Sequence, residues 1–290
     1  MNKIAVLLTC HNRKDKTLSC LHSLYRAYQR IDNHLKLVVY LTDDGSTDGT
    51  TEAVREFYPE VNILLGNGNL YWAGGMRNSW NEALKSDFDG YLLLNDDTNV
   101  FEDLFFVLNL GIEYSFNLLS KNGIIVGSTQ DEVTGKMTYG GSVFMNKFKG
   151  TYKKIEPNGS YQRCELGNAN IMYAHKDVVK QIGILSNYYI HGVADYDYTL
   201  RAIKENIPVI IMPKYIGFCS VNLVNKNDVF LSKKTLRDRF IYLNSPTGLA
   251  FSDTLYFQKK FFPFRLVFIY TTALFKLLFP KFYIILNKYR

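Results

Sequence analysis

Leu37-Val38-Val39-Tyr40-Leu41, then Thr42-Asp43-Asp44-Gly45-Ser46-Thr47-Asp48-Gly49, then a helical stretch from Thr51 to Tyr58: this passage decides the fold class. The apolar run has strand length, and Ser46, Thr47 and Asp48 are residues that cap a helix start. Taken alone, the acidic stretch reads as a turn that feeds a helix. Its neighbours repeat the pattern. Upstream, Ile4-Ala5-Val6-Leu7-Leu8-Thr9 is a continuous apolar run, as expected for a strand covered on both faces, and Leu18, Leu21, Leu24, Tyr25 and Tyr28 recur at helical spacing. Downstream come a strand at Val61–Leu65, a helix marked by Met76, Trp80, Ala83 and Leu84, and a strand at Tyr91–Leu94 that runs into Asn95-Asp96-Asp97. Strands alternating with helices predict βαβ units, hence an α/β fold with a right-handed, mostly parallel, twisted sheet flanked by helices.

Further along, residues 137–165 read as antiparallel hairpins, with Gly140-Gly141 and Pro157-Asn158-Gly159 as turn signals. Helical spacing returns near Lys176–Ile182 and at Ala194–Glu205, and Ile207–Met212 is a further strand. The chain has 290 residues, 47% hydrophobic and 21% charged, enough for one large α/β domain with a substantial core. Its net charge of +7 suits anionic partners, among which charge alone does not choose. Cys10, Cys20, Cys164 and Cys219 have neither metal-site nor disulfide-framework spacing and predict thiols in a reducing compartment. The apolar run ending at Leu8 is too short for a signal-peptide core, so a cytoplasmic location is expected.

In an open parallel sheet, ligands bind beyond the carboxyl ends of the strands. Polar clusters sit at those ends: Thr9-Cys10-His11-Asn12-Arg13, Asp43-Asp44-Gly45-Ser46, Gly66-Asn67-Gly68-Asn69 and Asn95-Asp96-Asp97. Each alone is a turn, but four converging on one edge point to a site. Asp96 and Asp97 repel each other, and a divalent cation would relieve the repulsion. Mg²⁺ or Mn²⁺ commonly takes one or two carboxylates and completes its shell with phosphate and water.

These motifs together resemble the large inverting glycosyltransferase family 2 with the GT-A fold, over roughly residues 3–220, and in particular its rhamnosyltransferase-like bacterial polysaccharide enzymes. The carriers are Thr9 to Arg13, the Asp43–Thr50 string and Asn95-Asp96-Asp97. Gly68-Asn69-Leu70-Tyr71-Trp72-Ala73-Gly74-Gly75-Met76-Arg77-Asn78 is similar to the glycine-rich donor loop of the rhamnosyltransferase-like members. The resemblance implies a nucleoside diphosphate sugar donor, dTDP- or UDP-linked. Thr9, Asn12, Arg13, Asp43 and Asp44 would line its base and ribose, with Asp43 taking the base imide. Asn69, Trp72, Gly74, Gly75 and Arg77 would meet its diphosphate and sugar, although Arg77 also fits a surface arginine on an amphipathic helix. Asp96 would lie near ribose and metal, and Asp97 would hold a Mn²⁺ or Mg²⁺ cofactor.

His191-Gly192-Val193-Ala194-Asp195-Tyr196-Asp197 resembles the family's acidic motif at the acceptor site, with Asp195 in the place of the general base and Ala194 where many members have Glu. A helix cap is the plainer reading of Asp195. Asp197 faces another way on a helix and could pair with Arg201 at i+4. Asn168, Asn170, His191 and Asp197 are the expected acceptor contacts. Where many members place a further metal-binding His, Ile216-Gly217-Phe218-Cys219-Ser220 has none. The acceptor implied is a hydroxyl of a glycan or of a lipid-linked sugar.

From Phe257 the chain mixes aromatics and leucines with Lys276, Lys281, Lys288 and Arg290, broken by Pro263 and Pro280. No uncharged run reaches the roughly 18–20 residues that span a bilayer. Two readings stay open: interfacial helices on the anionic inner face of a membrane, or helices packed on the catalytic domain or in a homodimer. The expected division is a catalytic domain over 1–225 and a helical extension over 226–290. Two other enzyme classes fit less well. A sugar nucleotidyltransferase would need a glycine-rich basic loop after the first strand, where His11-Asn12-Arg13-Lys14 has no glycine, and a dehydrogenase would need G-x-G-x-x-G there. A non-catalytic carbohydrate-binding protein is the third reading. Nucleic acid is not an expected partner, because the acidic edge repels a phosphate backbone.

Overall fold

The computed structural model describes residues 2–31, 34–221, 225–280 and 282–283; Lys281, Lys288 and Arg290 of the tail lie outside the described residues. The first part alternates strictly. β1 (Lys3–Cys10), α1 (Lys14–Tyr28), β2 (Lys36–Asp43), α2 (Thr50–Phe57), β3 (Asn62–Leu65), α3 (Tyr71–Ala83) and β4 (Gly90–Leu94) follow one another. β1 pairs in parallel with both β2 and β4, and β2 with β3. β5 (Asn99–Val100), α4 (Leu104–Leu119) and β6 (Ile124–Gln130) lead to a small antiparallel hairpin of β7 (Gly141–Asn146) and β8 (Thr151–Lys154). After β9 (Gln162–Arg163) and β10 (Leu166–Gly167), β11 (Ile171–His175) runs antiparallel between β4 and β6. α5 (Lys176–Ile182), α6 (Ala194–Lys204) and β12 (Val209–Phe218) complete the sheet, in the order β3-β2-β1-β4-β11-β6-β12-β5. The chain then turns helical: α7 (Lys226–Ser232), α8 (Leu236–Asn244), α9 (Phe251–Phe261), a 3₁₀ turn at Pro263–Arg265 and α10 (Leu266–Leu278). This is the mixed α/β architecture, with a mostly parallel central part between helices, of the GT-A fold.

The continuous apolar reading of β1 is explained by its two faces. Ile4, Val6 and Leu8 pack with Leu21 and Leu24 of α1, while Ala5 and Leu7 pack with Met76 and Trp80 of α3. Each large side chain removed from water in this way stabilises the fold by roughly 1.5–3 kcal/mol. Trp80 is fully buried, its ring 5.4 Å from Tyr198 of α6 and 5.7 Å from Tyr91 of β4. That contact joins the first half of the chain to the second.

Two sequence expectations are revised. The hairpin reverses at Lys147–Gly150, where the Lys149 N–H donates to Asn146 Oδ1 at 2.9 Å and Gly150 has φ +66°, and not at Gly140-Gly141 or Pro157-Asn158-Gly159. Gly141 lies inside β7, where a Cβ would come within 2.2 Å of Ile211. The last strand runs past Pro213 to Phe218, because β12 shifts register there and a bulge needs no ladder N–H from proline. The C-terminal helices pack in part on the domain before them, one of the two readings left open for the tail. Phe257 and Phe262 are buried in the same core as Ala5 and Leu7, whereas Phe230, Leu243 and Ala273 form a small cluster of their own. Among the described residues, no helix is long and apolar enough to cross a membrane.

Candidate active site

Strand register assembles the site. Cys10 stands opposite Asp43, and Asp43 opposite Leu65, so the loops after β1, β2 and β3 leave the sheet from one row. The loops are then tied together by side chains. The Asn12 N–H donates to Ser46 Oγ at 2.9 Å, and Asn12 Oδ1 accepts from the Thr47 N–H at 2.7 Å. Asp44 is buried: Oδ1 accepts from the Gly68 N–H at 2.8 Å, and Oδ2 accepts from Leu70 and Tyr71 at 2.9 and 2.8 Å. A carboxylate there satisfies the orphan donors at the start of α3 and meets the positive end of its dipole. Asp44 therefore anchors the Gly66–Tyr71 loop while also lining the cleft described below. Asp43 likewise accepts from the Ser46 N–H at 2.8 Å and from the Thr51 hydroxyl, which closes the acidic turn.

The glycine-rich stretch also differs from its sequence reading. Only residues 66–70 are loop; Gly74 and Gly75 are buried inside α3. A Cβ on Gly75 would come within 2.0 Å of Thr9 Oγ1, so this glycine lets α3 lie against the end of β1. Arg77 donates from Nη1 to the Ser186 and Tyr189 carbonyls, both at 2.8 Å, and burial lowers its pKa. It holds the 186–189 loop. Asn69 is exposed and bonds within its own turn to Asn67.

What remains converges. A cleft of about 410 Å³ is lined by Thr9, Arg13, Tyr71, Trp72, Asp96 and His191, among others. The Trp72 indole N–H donates to Asn95 Oδ1 at 2.8 Å, which fixes the ring beside the acidic motif. Arg13 Nη1 lies 3.1 Å from Asp96 Oδ1 and 2.9 Å from Asp97 Oδ2, so one guanidinium bridges both carboxylates. Asp96 is buried and its Oδ2 has no hydrogen-bond partner among the described residues. Burial, only partly offset by Arg13 and reinforced by Asp97, pushes its pKa up to about 7. Asp97 lines a second cavity of about 260 Å³ on the other side of that bridge, with Lys16 and Cys219. The Cys219 thiol donates to Asp97 Oδ1 at 3.7 Å, and burial pushes the thiol pKa up to about 11, so it stays protonated. Sequence reasoning noted only the missing histidine in that segment.

Asp195 opens α6, is half-buried, and does not line the 410 Å³ cleft; a chain of contacts links it to the cleft wall. The Ala169 N–H donates to Asp195 Oδ2 at 3.3 Å and the Asn168 amide to the same oxygen at 3.5 Å. One residue on, the Asn170 carbonyl accepts from Asn95, the partner of Trp72. Burial raises the Asp195 pKa, with these hydrogen bonds opposing it. The residue two before it, Val193, holds φ +52°, a region that costs a β-branched side chain on the order of 1–3 kcal/mol. Asn170 is buried and donates to Cys219 Sγ at 3.4 Å. Asp197 is fully buried, 2.7 Å from Arg201 Nε and 2.5 Å from Lys260 Nζ, and accepts from the Tyr189 hydroxyl at 3.0 Å. It joins α6 to α9 and is no acceptor contact.

One residue was invisible in the sequence. Asp253 of α9 is buried, and its Oδ2 accepts from three successive N–H groups, Ile190, His191 and Gly192, at 3.2, 3.2 and 3.3 Å. It clamps the loop that carries His191 into the cleft. Burial lowers the His191 pKa, so the imidazole is neutral, and its Nδ1 is buried without a partner among the described residues.

Residues 5–105, from β1 into α4, match the model of the family described as glycosyl transferase family 2. The match supports a family 2 glycosyltransferase. No curated protein matches the chain. The matched segment contains the three tied loops and Asn95-Asp96-Asp97; His191, Asp195 and Asp253 come from beyond it.

Proposed function

We propose that this protein is an inverting glycosyltransferase that passes a sugar from a nucleoside diphosphate to a hydroxyl of a glycan or lipid-linked acceptor, at the cytoplasmic face of a membrane. The observation that carries the reading is Asp96: a buried carboxylate, bridged to Asp97 by Arg13, with one oxygen unpartnered on the wall of the cleft. Such an oxygen is costly unless a ligand completes it.

The donor's base and ribose would sit between the Thr9–Arg13 loop and the Asp43–Asp44 turn, with Trp72 and His191 towards its sugar. Asp96 and Asp97 fit a Mn²⁺ or Mg²⁺ ion as hard oxygen donors, in a shell completed by diphosphate and water. Among the described residues, no group of three or more His, Cys, Asp and Glu stands ready for a metal. Such an ion, when bound, would neutralise charge on the departing diphosphate. Arg13, already between the carboxylates, supplies positive charge to the same place. Asp195 would take the proton from the acceptor hydroxyl; its raised pKa makes it a stronger base than an ordinary carboxylate. Membrane association rests on exposed apolar side chains along α10, Val267, Phe268, Leu274 and Leu278, with the cations around them.

The test is thermal-shift titration with dTDP- and UDP-sugars, dTDP-rhamnose first, with and without Mn²⁺, followed by assay of sugar transfer. A Mn²⁺-dependent shift with release of the nucleoside diphosphate on adding acceptor is the expected result. A shift without transfer to any acceptor would point to a nucleotide-sugar-binding protein.

A further inference from the structure

Two segments far apart in the chain meet at one surface. At the tip of the β7–β8 hairpin, Phe148 is 77% exposed, and its ring lies 4.8 Å from that of Phe264 in the 3₁₀ turn before α10. The Arg265 guanidinium donates to the Lys149 carbonyl at 3.2 Å, and a Cβ on Gly150 would collide with that guanidinium. The hairpin tip is therefore seated on the 3₁₀ turn. Around the pair, Met145, Val267 and Phe268 are exposed. Aromatic and aliphatic side chains presented this way to water by two elements are not explained by the core beneath, where Phe144, Phe262 and Phe257 are already packed.

The charges around the patch are mostly positive. No Asp or Glu occurs between Val133 and Ile155, or from Thr254 to Arg290, while Lys147, Lys149, Lys153, Lys154, Lys259 and Arg265 fall in those stretches. Lys147 is paired with Glu165 and Lys154 donates to the Thr138 carbonyl, but Lys149, Lys153 and Lys259 are exposed beside the aromatic cluster. Large apolar side chains framed mostly by cations fit the boundary of an anionic bilayer, where the rings enter the headgroup layer and the ammonium groups meet phosphate.

We propose that the β7–β8 hairpin tip and the 3₁₀ turn with the start of α10 form one composite membrane-docking surface. The catalytic domain itself, not the C-terminal tail alone, then contacts anionic lipid. The surface also abuts the candidate base. Tyr152, two residues past the tip, lies with its ring 6.2 Å from that of Tyr196, the neighbour of Asp195, and the Tyr196 hydroxyl accepts from the Asn168 amide at 3.4 Å. An acceptor anchored in the same bilayer would therefore present its hydroxyl from the hairpin side. This last step rests on the glycosyltransferase reading, whereas the lipid contact does not.

The test is co-sedimentation of the full chain with vesicles of equimolar phosphatidylglycerol and phosphatidylcholine, and with phosphatidylcholine alone. The unmodified chain should pellet with the anionic vesicles only. Phe148→Asp and Phe264→Asp should each weaken partitioning about tenfold, the transfer free energy of one buried aromatic side chain. Phe57→Asp, an equally exposed phenylalanine on α2, should leave it unchanged. Phe148 is mostly solvated, so its variant should keep its Tm. Phe148→Asp binding like the unmodified chain would overturn the composite surface, as would a dimer in light scattering that this substitution dissociates. Failure of the glycosyltransferase reading would show separately, as the absence of any nucleotide-sugar thermal shift in the unmodified chain.

Discussion

The proposed donor and acceptor sides of the site are built in opposite ways. On the proposed donor side, Thr9 and Asp43 end their strands and Arg13, Asp44 and Asp96 follow strands in loops, and register alone brings these strand ends together. On the acceptor side, the loop with His191 and the helix with Asp195 lie on no such row. They are held by Asp253 and Lys260 of α9, more than fifty residues later in the chain. A site made from strand ends is local in sequence and repeats a pattern; a site made from side-chain clamps is neither. The donor side should therefore tolerate changes at the C-terminus that the acceptor side does not.

The sharpest way to break this division is Asp195→Asn. Transfer should fall about 10²–10⁴-fold, the usual worth of a positioned base, while the donor-induced thermal shift stays. A comparable fall in donor binding would place Asp195 on the wrong side of the comparison. The pH profile carries the sign. The base must be ionised, and burial has raised its pKa, so activity should rise with pH through a range above the ordinary aspartate value of about 3.9. The same group favours the folded state while protonated, so its contribution is present at low pH and is lost as pH rises through the raised pKa.

Next in size, Asp97→Ala should remove the Mn²⁺ dependence of donor binding and leave Tm nearly unchanged, since Asp97 is partly exposed; calorimetric titration with and without Mn²⁺ reads it directly. Gly75→Ala forces a methyl group towards Thr9 and should destabilise by about 1–3 kcal/mol in chemical denaturation. An unchanged midpoint with weakened donor binding would return Gly75 to the donor-contact role. Smallest, Asp253→Asn keeps one oxygen for the three N–H groups but loses the charge. About 1 kcal/mol should go, seen as a rise of roughly fivefold in acceptor KM with donor affinity intact. If donor affinity moved equally, the two sides would not be separable.

How much could be read from residue order follows from the same contrast. The β1–β4 elements were legible because each covered strand is an uninterrupted apolar run and each loop is polar. Asp96 and Asp97 were legible because they follow such a run directly. The Gly74-Gly75 pair was correctly placed in the fold but given the wrong work, and Asp44 carries an anchoring role that the sequence did not show. Sequence spacing cannot show that a carboxylate turns back onto Gly68, Leu70 and Tyr71, or that a glycine faces Thr9 across a helix–strand contact. α4 went unread because Leu104-Phe105-Phe106-Val107-Leu108 is apolar on every side and shows no stripe. Asp253 had no signal at all: an aspartate in the first turn of a helix looks like any helix start, and its partners lie sixty residues away.

Phe257 and Phe262 also set an order of events during synthesis. They finish the core that Ala5 and Leu7 begin with Met76 and Trp80 of α3, so this face of the sheet is covered in part early and completed only once α9 has left the ribosome. The proposed nucleotide pocket can take shape early, but the loop carrying His191 waits for α9 to emerge and supply Asp253. A newborn chain would thus be able to hold its donor before it is able to use it.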